Sequence, residues 1–451
     1  MARTADVVVC GGGLAGVSAA LAAARAGADT ALIECEGHVG GIATRGVCAS
    51  IFNCYATADE RDAITGIPVE IADALADDAG YGPVWREHAG PIVFDIEGAR
   101  RVLAEMLREA GVRTLLDATV TGAQMEDGRI RGVTARCATG PEQIAGRVIV
   151  DCTGTAEVAA LAGADLHASD RAPGRAFSLR IGDVDFDALA GFYETNAGEY
   201  PAYMDVDWSA EQALASWRAT GAFVLPHGGP RFTRIVSDAA PRLGLHGTPG
   251  AAQMHGLRAT GVLQVVTEFE AADLSDAHGV SRAIDDARSM AHTAVELLRE
   301  QMPGFERAFI CGTAERLGAP PARWLDGEVP FTREMRSEGA RCDDAVGRGA
   351  CYHQEHKSDA PGAWAAQVVG DATFDLPWRC LLPSVDGLLM GSGRTVSAEA
   401  PTLLWVMALT MMVGQAAGVG AAVAALDHMT PRVLDVRAVQ EELGRQGVEL
   451  S

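Results

Sequence analysis

Residues 6–34 read DVVVCGGGLAGVSAALAAARAGADTALIE, and this stretch decides the fold. It has an apolar run at each end, with a glycine cluster and a series of small residues between them. The pattern predicts, in order, a strand, a glycine turn, a helix and a second strand: Asp6–Cys10, Gly11–Gly16, Val17–Ala26 and Thr30–Ile33. A β–α–β beginning of this kind predicts a parallel sheet.

The glycine turn has the spacing and the position of a dinucleotide-binding loop. Gly11 permits a tight turn, Gly13 lets the backbone approach a pyrophosphate, and Gly16 lets the helix pack closely on the strand. The free N–H groups of the following helix would face the phosphates. Glu34 ends the second strand, where a carboxylate accepts hydrogen bonds from ribose hydroxyls and repels a 2′-phosphate, so NADP is disfavoured.

The rest of the chain predicts three parts. A helix over Asp95–Ala110 precedes three strands, of which the first two are joined at Asp127-Gly128, a strong hairpin signal. The middle of the chain has strand-like pieces at Ala176–Ile181 and Phe232–Ser237 and a long helix over Val280–Met302. We therefore predict an α/β fold in which residues 165–376 form an inserted α+β substrate domain between two parts of the nucleotide domain, residues 1–164 and 377–451.

A strand at Gly387–Met390 precedes an apolar run, Leu403–Leu426, which is long enough to cross a bilayer. The run contains Gln415 and several glycines, and no basic segment follows it. We interpret it as a buried helix of the core and keep a transmembrane helix as the alternative.

Composition limits the partners. The 451 residues carry a formal net charge of -23, which disfavours nucleic acids and anionic membrane surfaces. The ten cysteines are scattered without a C-x-x-C pair, and no secretory signal is visible, so reduced thiols in a cytoplasmic protein are expected. A small-molecule substrate is the expected partner, and assembly into a homo-oligomer stays open.

Further motifs give the chain a family resemblance. In order they are GGGLAG at 11–16, LIE at 32–34, GGIAT at 40–44, DCTG at 151–154, AGA at 162–164, PGF at 303–305, GR at 393–394 and GQAAG at 414–418. Together they resemble the FAD-dependent oxidoreductase family with a glutathione-reductase-like FAD-binding fold. The resemblance implies a Rossmann-like FAD-binding domain, built of a parallel sheet and a β-meander, and FAD as the cofactor.

The resemblance also implies residue roles. The first glycine turn would line the pyrophosphate, and Glu34 and Cys35 would contact the ribose. The second glycine turn would contact the diphosphate and the ribityl chain, and Val120 would contact the adenine. Thr153 and Gly154 would close the adenine side, Gly393 and Arg394 would lie at the ribityl chain, and the start of the last long helix would face the flavin's pyrimidine edge. The implied cofactor-binding residues are Gly11, Gly13, Leu14, Ala15, Gly16, Glu34, Cys35, Gly41, Ile42, Ala43, Thr44, Val120, Thr153, Gly154, Gly393, Arg394, Leu403 and Leu404.

The sequence departs from the family's pattern on the expected substrate side. Relatives carry an acid next to the Gly of the ribityl motif, or a His after it, where this chain has Arg394 and then Ala398-Glu399-Ala400. Trp405 stands where an Arg is common, and Ala319–Arg323 replaces an arginine-rich segment. The family's substrate residues are therefore not carried over.

The reaction is inferred from what the sequence lacks. It has no second strand–glycine–helix motif of comparable quality, and Cys48 and Cys54 are too far apart for a redox C-x-x-C or C-x-x-x-x-C pair. We therefore expect a dehydrogenase or oxidase in which a small organic substrate reduces the flavin directly. The alternatives are an NAD(P)H-dependent flavin monooxygenase and a flavin-binding subunit active only with a partner.

Candidate catalytic residues are His353 and His356, in a segment that resembles the family's acid-x-His element. The competing interpretation is a surface loop with two exposed histidines. Cys342 and Cys351 lie close enough in sequence to suggest a metal site with these histidines, but the spacing fits no zinc pattern, so no metal is predicted.

Two other sets of residues have alternative interpretations. Arg231 and Arg234 would alternate on a strand and clamp a substrate carboxylate, or simply form a solvated strand face. Cys48 would attach to the flavin covalently or, more simply, be a buried thiol.

Overall fold

The fold is seen in a computed structural model that describes residues 3–51, 63–82, 92–168, 175–199, 210–225, 229–243, 250–269, 277–318, 323–356 and 364–450. The strands are β1 (Arg3–Cys10), β2 (Thr30–Ile33), β3 (Ser50–Ile51), β4 (Ile92–Val93), β5 (Arg113–Leu115), β6 (Thr119–Glu126), β7 (Arg129–Cys137), β8 (Gly140–Asp151), β9 (Leu166–Ala168), β10 (Arg175–Gly182), β11 (Ala222–Leu225), β12 (Gly250–Leu257), β13 (Val262–Phe269), β14 (Phe309–Thr313), β15 (Arg323–Leu325), β16 (Ala345–His356), β17 (Trp364–Pro377) and β18 (Leu388–Met390).

The α-helices lie between these strands and after the last one. They are α1 (Leu14–Arg25), α2 (Ile67–Asp78), α3 (Ile96–Glu109), α4 (Glu157–Leu161), α5 (Phe186–Thr195), α6 (Ala210–Thr220), α7 (Gly229–Ser237), α8 (Ala239–Arg242), α9 (Ala277–Gln301), α10 (Arg333–Ser337), α11 (Met407–Leu426) and α12 (Val436–Arg445).

The first sheet combines a parallel part with a meander. Its strand order is β5-β2-β1-β8-β7-β6, and β18 pairs with β8. Strands β5, β2, β1, β8 and β18 run parallel, whereas β6, β7 and β8 pair antiparallel. Val7–Cys10 are fully buried, as continuous apolar strands of parallel sheets are. The predicted α/β fold class, with a Rossmann-like FAD-binding domain, is confirmed.

The predicted hairpin between β6 and β7 is confirmed as well. Asp127 and Gly128 both have positive φ, at 50° and 77°. Two consecutive positive φ angles characterise the tight turn that matches the twist of paired strands.

The predicted core helix is α11, packed in parallel against α1. A methyl group at Gly414 would overlap the carbonyl oxygen of Ala15, and one at Gly418 would overlap that of Ala19. Close approach of the two backbones therefore depends on glycine. By length and composition α11 would cross a membrane, yet 89% of its apolar window is buried inside the protein, which accounts for its apolar sequence.

The second sheet is antiparallel, with strand order β11-β12-β13-β10-β14. Its strands come from the middle of the chain, and the 25-residue helix α9 accompanies them. One prediction in this region was wrong, because Phe232–Ser237 lies in helix α7 and not in a strand. The buried residues Phe232, Ile235 and Val236 have the three-and-four spacing of a helix face, which outweighs the strand preference of the β-branched residues.

Candidate functional site

Three strands of the first sheet end side by side. Cys10 of β1 and Met390 of β18 are both paired with Asp151 of β8. The segments that follow these strands therefore begin at one edge, the carboxyl edge of the parallel strands. Ligands of open α/β sheets bind at this edge.

The first glycine turn follows β1. Gly11 has a φ of +100°, and a methyl group there would lie 2.5 Å from the carbonyl oxygen of Cys152. A methyl group at Gly16 would overlap the Gly11 carbonyl oxygen. At Gly13 the nearest atom would be the Cα of Gly41, at 3.8 Å, which is an ordinary contact. Gly11 and Gly16 are thus needed by the fold, whereas Gly13 leaves room for a ligand's close approach, as predicted.

Helix α1 begins at Leu14, three residues earlier than predicted. Leu14, Ala15 and Gly16 therefore form its first turn. The N-cap, Gly13, has no side chain to accept a hydrogen bond from this turn, whereas Asp95 caps α3 by accepting from Gly98 N at 3.0 Å. An uncapped first turn presents N–H groups and a partial positive charge to an anion such as a pyrophosphate.

Glu34 is buried against the first glycine turn. Its Oε2 accepts a hydrogen bond from Gly12 N at 2.5 Å, and its Oε1 accepts one from Glu36 N at 2.9 Å. Oε1 also accepts from the Cys35 thiol at 3.1 Å, whereas Oε2 keeps a second lone pair, so the group is held in place and still able to accept a hydrogen bond from a ribose hydroxyl. This arrangement fits the predicted role of Glu34.

Cys35 lies beside this carboxylate. Burial, with the charge of Glu34, raises the pKa of its thiol to about 11, so the thiol stays protonated at neutral pH. Arg45 and Arg316 both pair with the Glu36 carboxylate, so the acidic residues here already have cationic partners from the protein. A cofactor contact of Cys35 stays a prediction.

The second glycine turn lies directly on the first. Gly40 N donates to Gly12 O at 2.8 Å, and a methyl group at Gly41 would lie 2.8 Å from the Cα of Gly13. Residues Gly41–Ala43 form a single 3-10 turn, in which Ala43 is buried and Ile42 is 39% exposed. Thr44 is buried and donates from its hydroxyl to Val39 O at 2.9 Å. The structure therefore brings together the two glycine segments that the sequence assigned to one cofactor.

The segment after β8 is fixed by a buried acid. Asp151 accepts hydrogen bonds from the amide and the hydroxyl of Thr153, at 3.0 and 2.7 Å, and from Ala159 N at 3.0 Å. Burial raises the pKa of Asp151, and these hydrogen bonds oppose the rise. Gly154 has a φ of +71°. Val120, the predicted adenine contact, lies on β6 in the meander.

The segment that follows β18 contacts the segment that follows β8. Gly393 N donates to the hydroxyl of Thr410 at 2.8 Å, and a methyl group at Gly393 would overlap the carbonyl oxygen of Leu404. The Arg394 side chain lies next to Gly154, with Nε 3.7 Å from where a methyl group there would be. Burial lowers the pKa of Arg394 to about 10, so the guanidinium is still charged at neutral pH. It places a partly buried positive charge at the edge of the crevice that lies at the carboxyl ends of β1, β8 and β18.

The last helix starts later than predicted. Helix α11 begins at Met407 with Val406 as its N-cap, so Leu403 and Leu404 belong to the preceding loop and not to the helix. The run is apolar on both sides of the boundary and offers no capping residue that would have revealed it. Like α1, this helix has no side-chain cap at its N-terminus.

The relative position of the two uncapped helix ends follows from their packing. Gly414 lies against Ala15 and Gly418 against Ala19, so the helices run in the same direction. Ala15 is the second residue of α1, whereas its partner Gly414 is the eighth residue of α11. The N-terminus of α11 therefore extends six residues beyond that of α1, which is about 9 Å at roughly 1.5 Å per residue. Two positive helix ends at different depths fit an extended anionic cofactor such as FAD. Glu34 fits the ribose of this cofactor, and Arg394 fits its ribityl chain.

Other predicted residues lie elsewhere. The backbones of His353 and His356 belong to β16, but their side chains, that of Cys351, and all of Cys54 and Ala319–Ala322 lie outside the described part. The metal and catalytic predictions for these residues are thus untested. Burial raises the pKa of the Cys48 thiol to about 11, which fits the simpler interpretation of a buried thiol.

The predicted arginine clamp was placed on the wrong kind of element. Arg231 and Arg234 belong to helix α7. Arg231 donates to the carbonyl of Gln301 at the end of α9 and lies over the Phe192 ring, with its guanidinium carbon 5.1 Å from the ring centre. It thus has a structural role, at the C-terminus of a helix.

A row of polar side chains was missed. Arg180, Gln264 and His255 are paired across β10, β13 and β12. Arg180 binds Asp95 at 3.1 Å, Gln264 accepts from Ala49 N at 3.0 Å, and His255 Nε2 lies 3.0 Å from Ser50 Oγ. The row ties the second sheet to the segments around β3 and β4. No sequence signal singled this row out, because each strand has a further polar residue: Ser178 in β10, Gln253 in β12 and Glu268 in β13.

Comparisons with known proteins agree with this site. A family model described as FAD dependent oxidoreductase matches residues 6–443. The tRNA uridine 5-carboxymethylaminomethyl modification enzyme MnmG of Geobacter sulfurreducens is 31% identical over 160 residues, which make up 33% of this chain. The match spans only 24% of that enzyme's length.

Solved structures of low sequence identity are similar over most of the chain. A geranylgeranyl bacteriochlorophyll reductase-like protein from Thermoplasma acidophilum is 13% identical with a TM-score of 0.44, covering 99% of this chain and 83% of that one. The myxobacterial chondrochloren halogenase is 13% identical with a TM-score of 0.48, covering 98% and 79%.

The family match extends over nearly the whole chain and includes every segment of the crevice. The narrower likeness to glutathione reductase stays a prediction. The chain belongs to the FAD dependent oxidoreductase family, and it is an FAD-dependent enzyme.

Proposed function

We propose that the protein is a dehydrogenase or oxidase that transfers a hydride from a small organic substrate to FAD. The observation that carries this proposal is the architecture of the second sheet. All four of its strand pairings are antiparallel, so it offers no parallel strand–turn–helix unit for a nicotinamide dinucleotide. Among the residues that the structure describes, the parallel unit at β1 is the single one that follows the dinucleotide pattern.

The thiols near the crevice support the same proposal. Burial raises the pKa of Cys10 and Cys152 well above the usual value and that of Cys35 to about 11. The reactive form of a cysteine is the thiolate, which is disfavoured at each of these positions. Electron transfer through a protein dithiol is therefore not the reaction that these residues favour.

Bound FAD supplies the acceptor of the hydride. The first turn of α1 binds the phosphates through its N–H groups, and Glu34 binds the ribose. The Arg180–Gln264–His255 row, in which Gln264 and His255 are buried, fixes the second sheet against the chain that follows the second glycine turn. A substrate held between the sheets would be kept at a constant distance from the ring by this contact.

We assign the proton acceptor to His353 or His356. Support comes from the course of β16 along α11. A methyl group at Gly347 would lie 2.7 Å from Met412 Cγ, and one at Gly349 would lie 2.7 Å from Leu409 Cδ2. The strand thus runs toward the N-terminus of α11, and its last residues lie beyond that end. Histidine is the side chain whose ordinary pKa suits proton transfer from a substrate near neutral pH.

An anaerobic reduction screen tests the proposal. The purified protein, with its flavin spectrum recorded, is mixed without oxygen with NADH, with NADPH and with a panel of alcohols, amines and hydroxy acids. Bleaching of the flavin by a metabolite alone is the expected result. Fast bleaching by NADH or NADPH would instead identify a monooxygenase, and bleaching by none of them would favour a subunit that needs a partner.

A further inference from the structure

The loop before α11 is bound along its length by an earlier segment. This segment, residues 323–336, begins with β15 and ends in α10. The loop, residues 395–406, begins after Arg394. The hydrogen bonds between them join Leu325 N to Thr395 O at 2.9 Å, Trp324 Nε1 to Ala398 O at 3.0 Å, Phe331 N to Ser397 O at 3.0 Å and Glu399 N to Phe331 O at 2.9 Å.

Arg336 makes the last contact of this series. It lies in α10, which starts with the hydroxyl of Thr332 accepting from Met335 N at 3.1 Å. Only 5% of Arg336 is exposed, and its Nη1 donates to Leu403 O at 2.8 Å. The next carbonyl, that of Leu404, lies against Gly393. Arg336 therefore fixes the part of the loop that connects the ribityl segment to the start of α11.

Two positive charges lie along this loop. The N-terminus of α11 is uncapped and carries a partial positive charge, and the buried guanidinium of Arg336 lies at the loop that enters it. The acid of the loop, Glu399, is half exposed and is paired with Arg333, whose Nε lies 3.4 Å from its Oε1. A buried cation beside a positive helix end is favourable when an anion binds there.

We infer that Arg336 is a positioning residue of the flavin site, which holds the loop before α11 and favours the negatively charged, reduced form of FAD. The inference rests on the proposed function in one respect, the placement of the flavin's pyrimidine edge at the start of α11. Positive charge near that edge makes a flavin easier to reduce. Arg336 does not touch the reacting atoms: it holds the loop by its contact with Leu403 and acts on the flavin through its charge.

The test is the two-electron reduction potential of the bound FAD, measured by equilibration with redox dyes. Arg336→Met should bind reduced FAD at least tenfold more weakly relative to oxidised FAD, which lowers the potential by about 30 mV for a two-electron couple. Arg336→Lys keeps the charge and should stay near the wild-type potential. Arg333→Met, on the same helix but at the surface, is the matched control and should leave the potential unchanged.

A second variant covers the case in which Arg336→Met does not fold. Arg336→Gln keeps a donor for the Leu403 carbonyl and removes the charge, so it should show the same lowered potential. A wild-type potential in either folded neutral variant, or an equal shift in Arg333→Met, would overturn the inference. The potential is measured without a substrate, so this test does not depend on the outcome of the metabolite screen. In the same way, an unchanged potential in the Arg336 variants would leave the result of the screen valid.

Discussion

At Gly16 the backbone leaves no space for a side chain. A methyl group there would overlap the carbonyl oxygen of Gly11, in the turn that faces the cofactor. The same turn is held from the other side by Glu34, through Gly12 N. Gly12 and Glu34, which are 22 positions apart in sequence, are thus in direct contact. This contact explains in physical terms why the spacing of the glycine turn and the acid predicts a dinucleotide site.

Gly16→Ala should therefore lose FAD binding. The methyl group would move either the helix start or the turn, and both carry N–H groups that are expected to bind phosphate. We expect at least a tenfold weaker FAD affinity, measured by fluorescence titration of the apoprotein. Gly444→Ala is the control, because a methyl group at this exposed site in α12 has no neighbour within 4 Å. Equal FAD affinity of the two variants would contradict the assignment of the turn.

The buried His255 predicts how stability depends on pH. Burial lowers its pKa to about 3, so the folded protein keeps it neutral while the unfolded chain binds a proton below about pH 6.5. Its contribution to stability is therefore lost as the pH falls from about 6.5 toward 3, by up to about 1.4 kcal/mol per pH unit.

Chemical denaturation at several pH values measures this dependence. His255→Gln removes the titrating group, so its free energy of unfolding should fall less steeply below pH 6.5 than that of the wild type. An exposed histidine, His428, provides the control in His428→Gln, which should keep the wild-type slope. Identical slopes for all three proteins would show that His255 is not kept neutral by the fold.

At the scale of elements, α1 and α11 are the pair that defines the crevice. Their contact through Gly414 and Gly418 sets the offset between two uncapped helix ends. Residues 6–34 were sufficient to predict α1 and its flanking strands, because the glycine spacing and the apolar strands have a local cause. The start of α11 was mispredicted because the apolar residues on both sides of it are buried for different reasons, Leu403 in a loop and Met407 in the helix.

Gly418→Ala separates packing from helix propensity. In an isolated helix this change would be stabilising by up to about 1 kcal/mol. In the protein the methyl group overlaps Ala19 O, so we expect a loss of roughly 1–3 kcal/mol of stability and a lower Tm. A Tm at or above that of the wild type would show that the two helices are not packed as closely as described.

On the scale of the whole molecule, the order of the segments along the chain was predictable and their lateral contacts were not. The return of the chain to the first sheet follows from the strand at Leu388–Met390, whose apolar pattern is local. The polar row from Arg180 to His255 and the contact of Arg336 with Leu403 join residues 67 to 215 positions apart. No local pattern specifies such pairs, because each depends on how two already formed elements meet.

The central claim is that the crevice holds a dinucleotide through its adenosine and phosphate parts. Comparison of FAD with FMN tests it most directly, because FMN has the same ring but lacks the adenosine and one phosphate. Equilibrium titration of the apoprotein should give FAD a dissociation constant at least a hundredfold lower than that of FMN, about 2.7 kcal/mol at roughly 1.4 kcal/mol per tenfold. Equal affinity for the two flavins would contradict the assignment of the first glycine turn and Glu34.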